Sequence, residues 1–437
     1  MNSPYKIAVL GLWHCGEIFS TCLAELGHRV VGISDDQNLI ENFSKGIPPL
    51  PESQLADLMA KNLTAGNLSY ATDFGKIKDC DILWLTFDTP VDDEDNVDTT
   101  VVYEALQKAA PHLQNGALIV ATSQLPVGSA KKITETVKKI RPDLRFDYAY
   151  VPENLRLGEA VDYFMKPQRI VIGAESEAVF QKIEDIFRGL NAEYIRMSAP
   201  SAEMSKHALN AFLATSISFI NDIADLAEKI GADILDIVKA LRSDPRVGTK
   251  AFLDAGLGFS GGTLGRDLKA LLAAGRTSDI DPIVIGAVFE KNKSRKNLII
   301  NRLREEMGDV KGKIIAVLGL TYKAGTKTLR RSRPVEIAAD LIKGGAVVRL
   351  YDPCVDMEEL SLFIKNPDFY ANPYEATRGA HAVVLATPWP EFKQLDFSRL
   401  KGAAGTNPIF FDTSNFLWDK EAEINSSGFR YLGVGRK

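Results

Sequence analysis

Short apolar runs broken by glycine dominate the first part of the chain. Residues 6–10 (KIAVL) form a short apolar run behind Lys6, followed by Gly11, Gly16 and a helical stretch. A second run, 28–34, closes on Asp35 and Asp36. Strand, glycine turn, helix and strand make the opening of a doubly wound α/β domain, where buried parallel strands read as continuous apolar runs. Similar runs at 81–87, 117–122, 146–150 and 169–173, with helical spacers between them, predict further strands of a parallel sheet. The period changes from 201 to about 241. Apolar residues recur there at helical spacing, without proline. One or two long helices are predicted, apolar on more than one face, which need burial between domains or against a second subunit. Strand-like runs return at 313–318, 347–351, 382–386 and 409–412, after the polar segment 304–312. The openings at 6–12 (KIAVLGL) and 313–320 (KIIAVLGL) suggest two copies of one βαβ unit.

Composition narrows the class. A chain of 437 residues suggests two or three domains. Hydrophobic content of 45% and charged content of 25% are ordinary for a globular protein. A net charge of −5 gives no global basic footprint for nucleic acid or anionic membrane. No apolar run is long enough to span a bilayer. The opening MNSPYKIAVLGL enters a strand directly, so no signal peptide is expected. Cys15, Cys22, Cys80 and Cys354 are scattered and form no CxxC pair. That argues against a disulfide framework or a metal site and makes a reducing cytoplasm the expected home.

The first glycine turn, Gly11-Leu12-Trp13-His14-Cys15-Gly16, is Rossmann-like in placement but altered in content. Such a turn uses one glycine for the tight bend, a second for close approach of a pyrophosphate, and a third for helix–strand packing. Gly11 and Gly16 supply the first and third; Trp13 takes the second place, where an indole would crowd the phosphates. Asp35 or Asp36 could bind ribose hydroxyls, and either would repel a 2′-phosphate, favouring NAD over NADP. The alternative is a domain that keeps the fold and binds nucleotide poorly. His14 and Cys15, at the turn, fit packing or phosphate contact better than catalysis.

Gly256–Asp267 reads GLGFSGGTLGRD, a glycine-rich turn ending in an Arg-Asp pair. It is one of a series of ordered motifs. Others are Asp88-Thr89-Pro90, Ser123-Gln124-Leu125-Pro126-Val127-Gly128, Pro152-Glu153-Asn154-Leu155-Arg156-Leu157-Gly158, the 201–221 helix with Glu203, Lys206, Asn210 and Asn221, Asp244-Pro245-Arg246-Val247-Gly248, and Tyr322-Lys323 with Thr326, Arg330 and Ser332. Taken together, nearly end to end, they resemble the UDP-glucose/GDP-mannose dehydrogenase family, the nucleotide-sugar dehydrogenases. The resemblance implies two Rossmann-like doubly wound domains joined by a central long-helix region. Residues 1–198 would bind dinucleotide, 199–300 would form a helical dimer core, and 301–437 would bind the nucleotide sugar. A homodimer is implied, with Arg246 reaching into the partner's site.

The family oxidises the C6 hydroxyl of a nucleotide sugar to a carboxylate with two NAD, through a cysteine thiohemiacetal and a thioester. By resemblance, Lys206, Asn210 and Asp267 polarise the sugar oxygen and manage its proton, and Glu153 assists the water. Leu155, Arg156, Arg246, Phe259, Gly261, Lys323 and Arg330 hold the substrate. Gly11, Trp13, Gly16, Ser34 (the family's acidic position), Asp35, Asp36, Thr89, Pro90, Ser123 and Gln124 face the cofactor. The residues agree in part. Lys206 and Asn210, four apart, share a helical face and could stabilise a developing alkoxide. A solvated helix charge is the plainer reading of Lys206, but the run around it is apolar.

Thr263 stands where the family has its cysteine. The register is anchored by Gly258-Phe259 before it and Asp267 after it. A threonine hydroxyl is a far weaker nucleophile than a thiol unless a base activates it. Gln124 likewise replaces a family threonine that helps place a water. The preferred expectation is a two-electron NAD-dependent oxidoreductase acting on a CH–OH group of a nucleotide sugar. One alternative is the full four-electron dehydrogenase; another is a non-catalytic nucleotide-sugar-binding paralogue. The basic run Lys327-Thr328-Leu329-Arg330-Arg331-Ser332-Arg333, where the family is acidic, fits a solvated face or a more anionic ligand.

Overall fold

The computed structural model describes residues 4–50, 52–90, 97–153, 155–260 and 262–436. The chain divides into two compact units, Met1–Ala208 and Leu209–Lys437.

The first unit is built on eight strands: β1 (Lys6–Leu10), β2 (Arg29–Ile33), β3 (Leu68–Ala71), β4 (Ile82–Leu85), β5 (Ala117–Ala121), β6 (Phe146–Tyr150), β7 (Arg169–Gly173) and β8 (Glu193–Met197). Their order is β3-β2-β1-β4-β5-β6-β7-β8. β1 pairs in parallel with β2 (Ile7 opposite Val30) and with β4 (Ile7 opposite Ile82). Strand order therefore reverses between β1 and β4, and ligands of such sheets bind at the carboxyl ends beside that switch. Apolar side chains cover both faces of the sheet, with Ile7, Val9 and Trp84 on one and Ala8, Leu10 and Leu83 on the other. This two-sided burial is why the strands read as unbroken apolar runs.

The second unit carries β9 (Ile314–Leu318), β10 (Val347–Tyr351), β11 (Ala382–Leu385), β12 (Ile409–Asp412) and β13 (Arg430–Gly433). These form an all-parallel sheet in the order β10-β9-β11-β12-β13. Its switch lies between β9 and β11.

Three features depart from the pattern reading, while the one or two long helices expected over 201–241 are two. β6 and β7 pair antiparallel. β3, β8 and β13 escape the pattern; all three are edge strands of four or five residues, and β8 is exposed or half-buried along its whole length. The 201–241 region is two helices, Ala199–Ile230 and Ile234–Ser243. The break falls at Gly231 (φ 80°), and Asp233 caps the second helix by accepting the Leu235 N–H at 2.8 Å. The polar segment 304–312 is in part a helix end: Leu298–Met307 buries Ile299 and Leu303 and stops at Gly308 (φ 79°).

No helix among the described residues is long and apolar enough to cross a membrane. All four cysteines are unbonded, and no group of three His, Cys, Asp or Glu residues gathers among the described residues as a metal site would.

Candidate active site

The glycine turn after β1 is fixed by sterics. Gly11 has φ 94°, and a Cβ there would lie 2.6 Å from the Phe87 nitrogen. A Cβ on Gly16 would lie 2.2 Å from the Gly11 carbonyl oxygen. Both positions therefore exclude any side chain. Trp13 is different. Its φ of −128° is open to any residue, and its indole is 48% exposed. The bend does not need a glycine there; the indole projects towards solvent at the start of the helix His14–Glu25.

At the end of β2 the three candidate ribose ligands have separate fates. The Ser34 hydroxyl accepts the Asp36 N–H at 3.2 Å. Asp36 caps the helix Gln37–Ser44, accepting the Leu39 N–H at 3.0 Å. Asp35 is exposed, and its carboxylate pairs with the side chain of Lys108. Exposed pairs of this kind are weak and easily exchanged, so Asp35 is the more available of the two aspartates. After β4 and β5, Thr89 is buried and donates its hydroxyl to the Gln124 carbonyl at 3.0 Å, while Pro90 is exposed. Ser123 and Gln124 are buried, and the Ser123 hydroxyl has no hydrogen-bond partner among the described residues.

His14 and Cys15 lie at the glycine turn, His14 half-buried and Cys15 buried. His14 Nε2 lies 2.7 Å from Glu52 Oε1. Burial pushes the Cys15 thiol well up, and the nearby Glu153 and Asp88 carboxylates reinforce it, which makes the sulfur inert.

Lys206 is 8% exposed on the long helix Ala199–Ile230. Its Nζ donates to the Glu153 carbonyl and lies 3.4 Å from the Glu153 carboxylate. Glu153 also accepts the Leu155 N–H at 2.5 Å, which orients its carboxylate. Two neighbours on the same helix pin it to the segment after β5. The Glu203 carboxylate accepts the N–H groups of Gly128 (2.6 Å) and Ala130 (2.8 Å), satisfying the first turn of the helix Ser129–Ile140. The His207 ring meets the Leu125 carbonyl at 2.9 Å. Leu155 is half-buried against the core, and the exposed Arg156 guanidinium lies over the Tyr163 ring at 5.0 Å.

In the second unit, the Asn210 amide donates to the carboxylate of Asp267, which is fully buried. Asp267 sits one turn into the helix Thr263–Thr277, whose exposed first residue is Thr263. The glycine-rich approach is held by three polar residues. Asn221 accepts the Gly256 N–H at 2.9 Å. Asn292 accepts the Phe259 N–H at 2.8 Å and donates to the Phe259 carbonyl at 3.0 Å. Arg295, 2% exposed, donates to the Gly256 carbonyl at 2.6 Å and pairs with Asp225 at 2.5 Å. Asn292 and Arg295 have no motif in the sequence; only the fold brings them to the loop. Gly261 lies outside the described residues.

The remaining substrate candidates are surface cations. Arg246, with its side chain 88% exposed, turns back onto Asp244 at 2.7 Å. Lys323 and Arg330 are exposed in the loop after β9, where Arg331 holds φ 56°. That loop follows a second glycine turn, at Gly319 (φ 86°), where a Cβ would lie 2.6 Å from Thr387. The two turns match in bend but not in use. In the second, the Asp352 carboxylate accepts the N–H groups of Leu320 (2.6 Å) and Thr321 (3.1 Å). It occupies the amides that a phosphate would take, so this turn is closed to a dinucleotide.

Comparison with known proteins agrees with this layout. The chain matches the NAD binding domain of the UDP-glucose/GDP-mannose dehydrogenase family over residues 5–191, its central domain over 200–294 and its UDP binding domain over 316–419. It is 35% identical to the UDP-glucose 6-dehydrogenase TuaD of Bacillus subtilis, covering 99% of this chain and 93% of that one. It is also 35% identical to the UDP-glucose 6-dehydrogenase of Rickettsia bellii, over 99% and 100% of the two chains. Among solved structures, a UDP-glucose dehydrogenase from Pyrobaculum islandicum superposes with a TM-score of 0.89 at 28% identity, covering 100% and 98% of the chains. The chain belongs to the UDP-glucose/GDP-mannose dehydrogenase family and is an NAD-dependent oxidoreductase of nucleotide sugars.

Proposed function

We propose that the protein oxidises one CH–OH group of a UDP-sugar by two electrons and releases the carbonyl product. The observation that carries this reading is Thr263. It opens the helix that also holds Asp267, so the residue at the family's nucleophile position carries a hydroxyl. UDP as the nucleotide is supported by the UDP binding domain match and by relatives named UDP-glucose 6-dehydrogenases.

The residues fit NAD. Gly11 and Gly16 hold a tight turn that no Cβ could share, and the helix His14–Glu25 starts directly from that turn, as a diphosphate-binding turn requires. Gly11, Trp13 and Gly16 would hold the diphosphate, Asp35 with Ser34 the ribose, and Thr89, Pro90, Ser123 and Gln124 the inner face. When bound, NAD supplies the hydride acceptor. Lys206 and the Asn210 amide donate to the sugar oxygen and stabilise its negative charge as the proton leaves for Asp267. Glu153 orients Lys206 through the 3.4 Å contact. Arg156, Lys323 and Arg330 offer charge to the diphosphate, with Leu155, Phe259 and Gly261 lining the sugar. Wild-type enzyme supplied with excess NAD and UDP-glucose or another UDP-sugar should form one NADH per sugar consumed, with a carbonyl product. Two NADH per sugar with a uronate product would overturn the reading.

We also propose the three-domain division 1–198, 199–300 and 301–437, and a homodimer built on the long helix. Phe212, Phe219 and Leu226 recur at seven-residue spacing on it and are 69%, 49% and 61% exposed. Burying such a stripe is worth several kcal/mol, on the order of 2 kcal/mol per large side chain. Phe219→Asp combined with Leu226→Asp should give a monomer by light scattering, with weakened sugar affinity if Arg246 serves the partner's site. A double variant that stays dimeric would place the interface elsewhere.

A further inference from the structure

Glu52 is a charged residue for which neither the motifs nor the proposed reaction has a use, yet its side chain has no solvent exposure. Two backbone N–H groups and one imidazole nitrogen, from two separate parts of the first unit, converge on it. His14 Nε2 lies 2.7 Å from Oε1, the Gly158 N–H donates to the same oxygen at 2.7 Å, and the Ala160 N–H donates to Oε2 at 3.2 Å. His14 is the first residue of the helix that follows the glycine turn. Gly158 and Ala160 end the segment 153–158 and begin the helix Ala160–Met165. The other end of that segment is Glu153, held by Lys206.

A buried carboxylate must be compensated by donors, and removing a donor leaves charge uncompensated at a low local dielectric. The three donors are therefore energetically tied to one another through Glu52. Movement of the glycine turn is felt at Gly158, and displacement of the 153–158 segment is felt at His14. We infer that Glu52 is a positioning residue that couples the NAD diphosphate turn to residues 155–160, which carry Arg156, so that NAD binding protects the Gly158 and Ala160 amides. The inference rests on NAD binding at the Gly11 turn and not on the two-electron outcome.

Amide hydrogen exchange on the full-length protein, with and without saturating NAD, tests it. In the wild type, NAD should slow exchange at Gly158 and Ala160 by about tenfold, in the lower part of the range for coupled sites. His14→Leu cuts the link at the cofactor end only. Glu52 still accepts both amides, so their exchange without NAD should stay at the wild-type rate while the NAD-dependent slowing disappears. Glu52→Gln keeps the size but has a single acceptor oxygen. Exchange without NAD should then rise, and NAD should not restore it. Calorimetric titration confirms that NAD is bound in each measurement. Equal slowing by NAD in His14→Leu and wild type would overturn the coupling and reduce Glu52 to a structural tie. NADH formation in the same preparations reads the proposed reaction separately: protein that shows NAD-dependent protection but makes no NADH would refute that reaction and leave the coupling standing.

Discussion

Glu17→Gln flattens the dependence of folding stability on pH between about pH 4.5 and pH 8, and above pH 8 it stabilises the protein by roughly 3–5 kcal/mol. Glu17 lies on the helix His14–Glu25 with no solvent exposure. Neither carboxyl oxygen has a hydrogen-bond partner among the described residues. Burial pushes its pKa from 4.5 up to about 8; the Leu50 amide, not aligned as a full hydrogen bond, opposes this next most strongly, and the Glu52 and Asp88 charges add to the rise. The sign follows from linkage. The folded-state pKa is above the unfolded one, so the folded protein favours the protonated acid. Its contribution is fully present below about pH 4.5, falls as pH rises towards 8, and is lost beyond. The amide of the variant cannot ionise, so the substitution removes that slope and leaves the rest of the protein's titration unchanged. Glu17→Leu also removes the unsatisfied polar group and adds about 1–3 kcal/mol at every pH. Thermal or urea unfolding at a series of pH values checks both. Equal slopes for wild type and Glu17→Gln would show that Glu17 is ionised and compensated in the folded protein.

Glu17 also marks where reading the sequence stops. Lys6–Leu10, Gly11 and Gly16 are legible because a buried strand and a tight turn each demand a residue type at a fixed place. The same reasoning locates the second unit at Ile314–Leu318 and Gly319. Edge strands escape it because one side is open to solvent and the apolar run is broken. Side-chain direction escapes it too. A glutamate at the start of a helix reads as a favourable charge at the positive end of the dipole, and only the packed structure shows it pointing into the interior. Trp13 shows a second limit. It reads as an obstruction, while its backbone is ordinary and its indole half-exposed. Asp36 reads as a ribose ligand and is spent on a helix cap. Asn292, Arg295 and Glu52 act on residues at least 33 positions away in sequence, a distance no local pattern spans.

Thr263→Cys should turn a one-NADH enzyme into one that forms a second NADH in a burst equal to the enzyme concentration. Residue 263 is exposed at the first position of a 15-residue helix. A thiol there gains the helix N-terminus, which favours its thiolate. The thiolate sulfur would add to the carbonyl carbon left by the first oxidation, and the carbonyl oxygen would take up a proton, giving a thiohemiacetal. Loss of a second hydride to a second NAD, with release of that proton, would give a thioester. Steady turnover then requires water to break the carbon–sulfur bond and release the uronate. In this chain the water-placing position resembling a family threonine is the buried Gln124, so the single variant should stall after the burst. Adding Gln124→Thr should convert the burst into turnover, with uronate released roughly 10²-fold faster than from Thr263→Cys alone, the scale on which one positioned reacting group acts. Rapid-quench measurement of NADH and mass detection of the bound thioester check each stage. A Thr263→Cys enzyme that forms neither a second NADH nor a covalent adduct, while still oxidising the sugar once, would show that residue 263 does not face the reacting carbon. The two-electron outcome would then have to come from another part of the site. A burst from Thr263→Cys followed by turnover in the double variant would instead assign the missing half of the reaction to these two side chains.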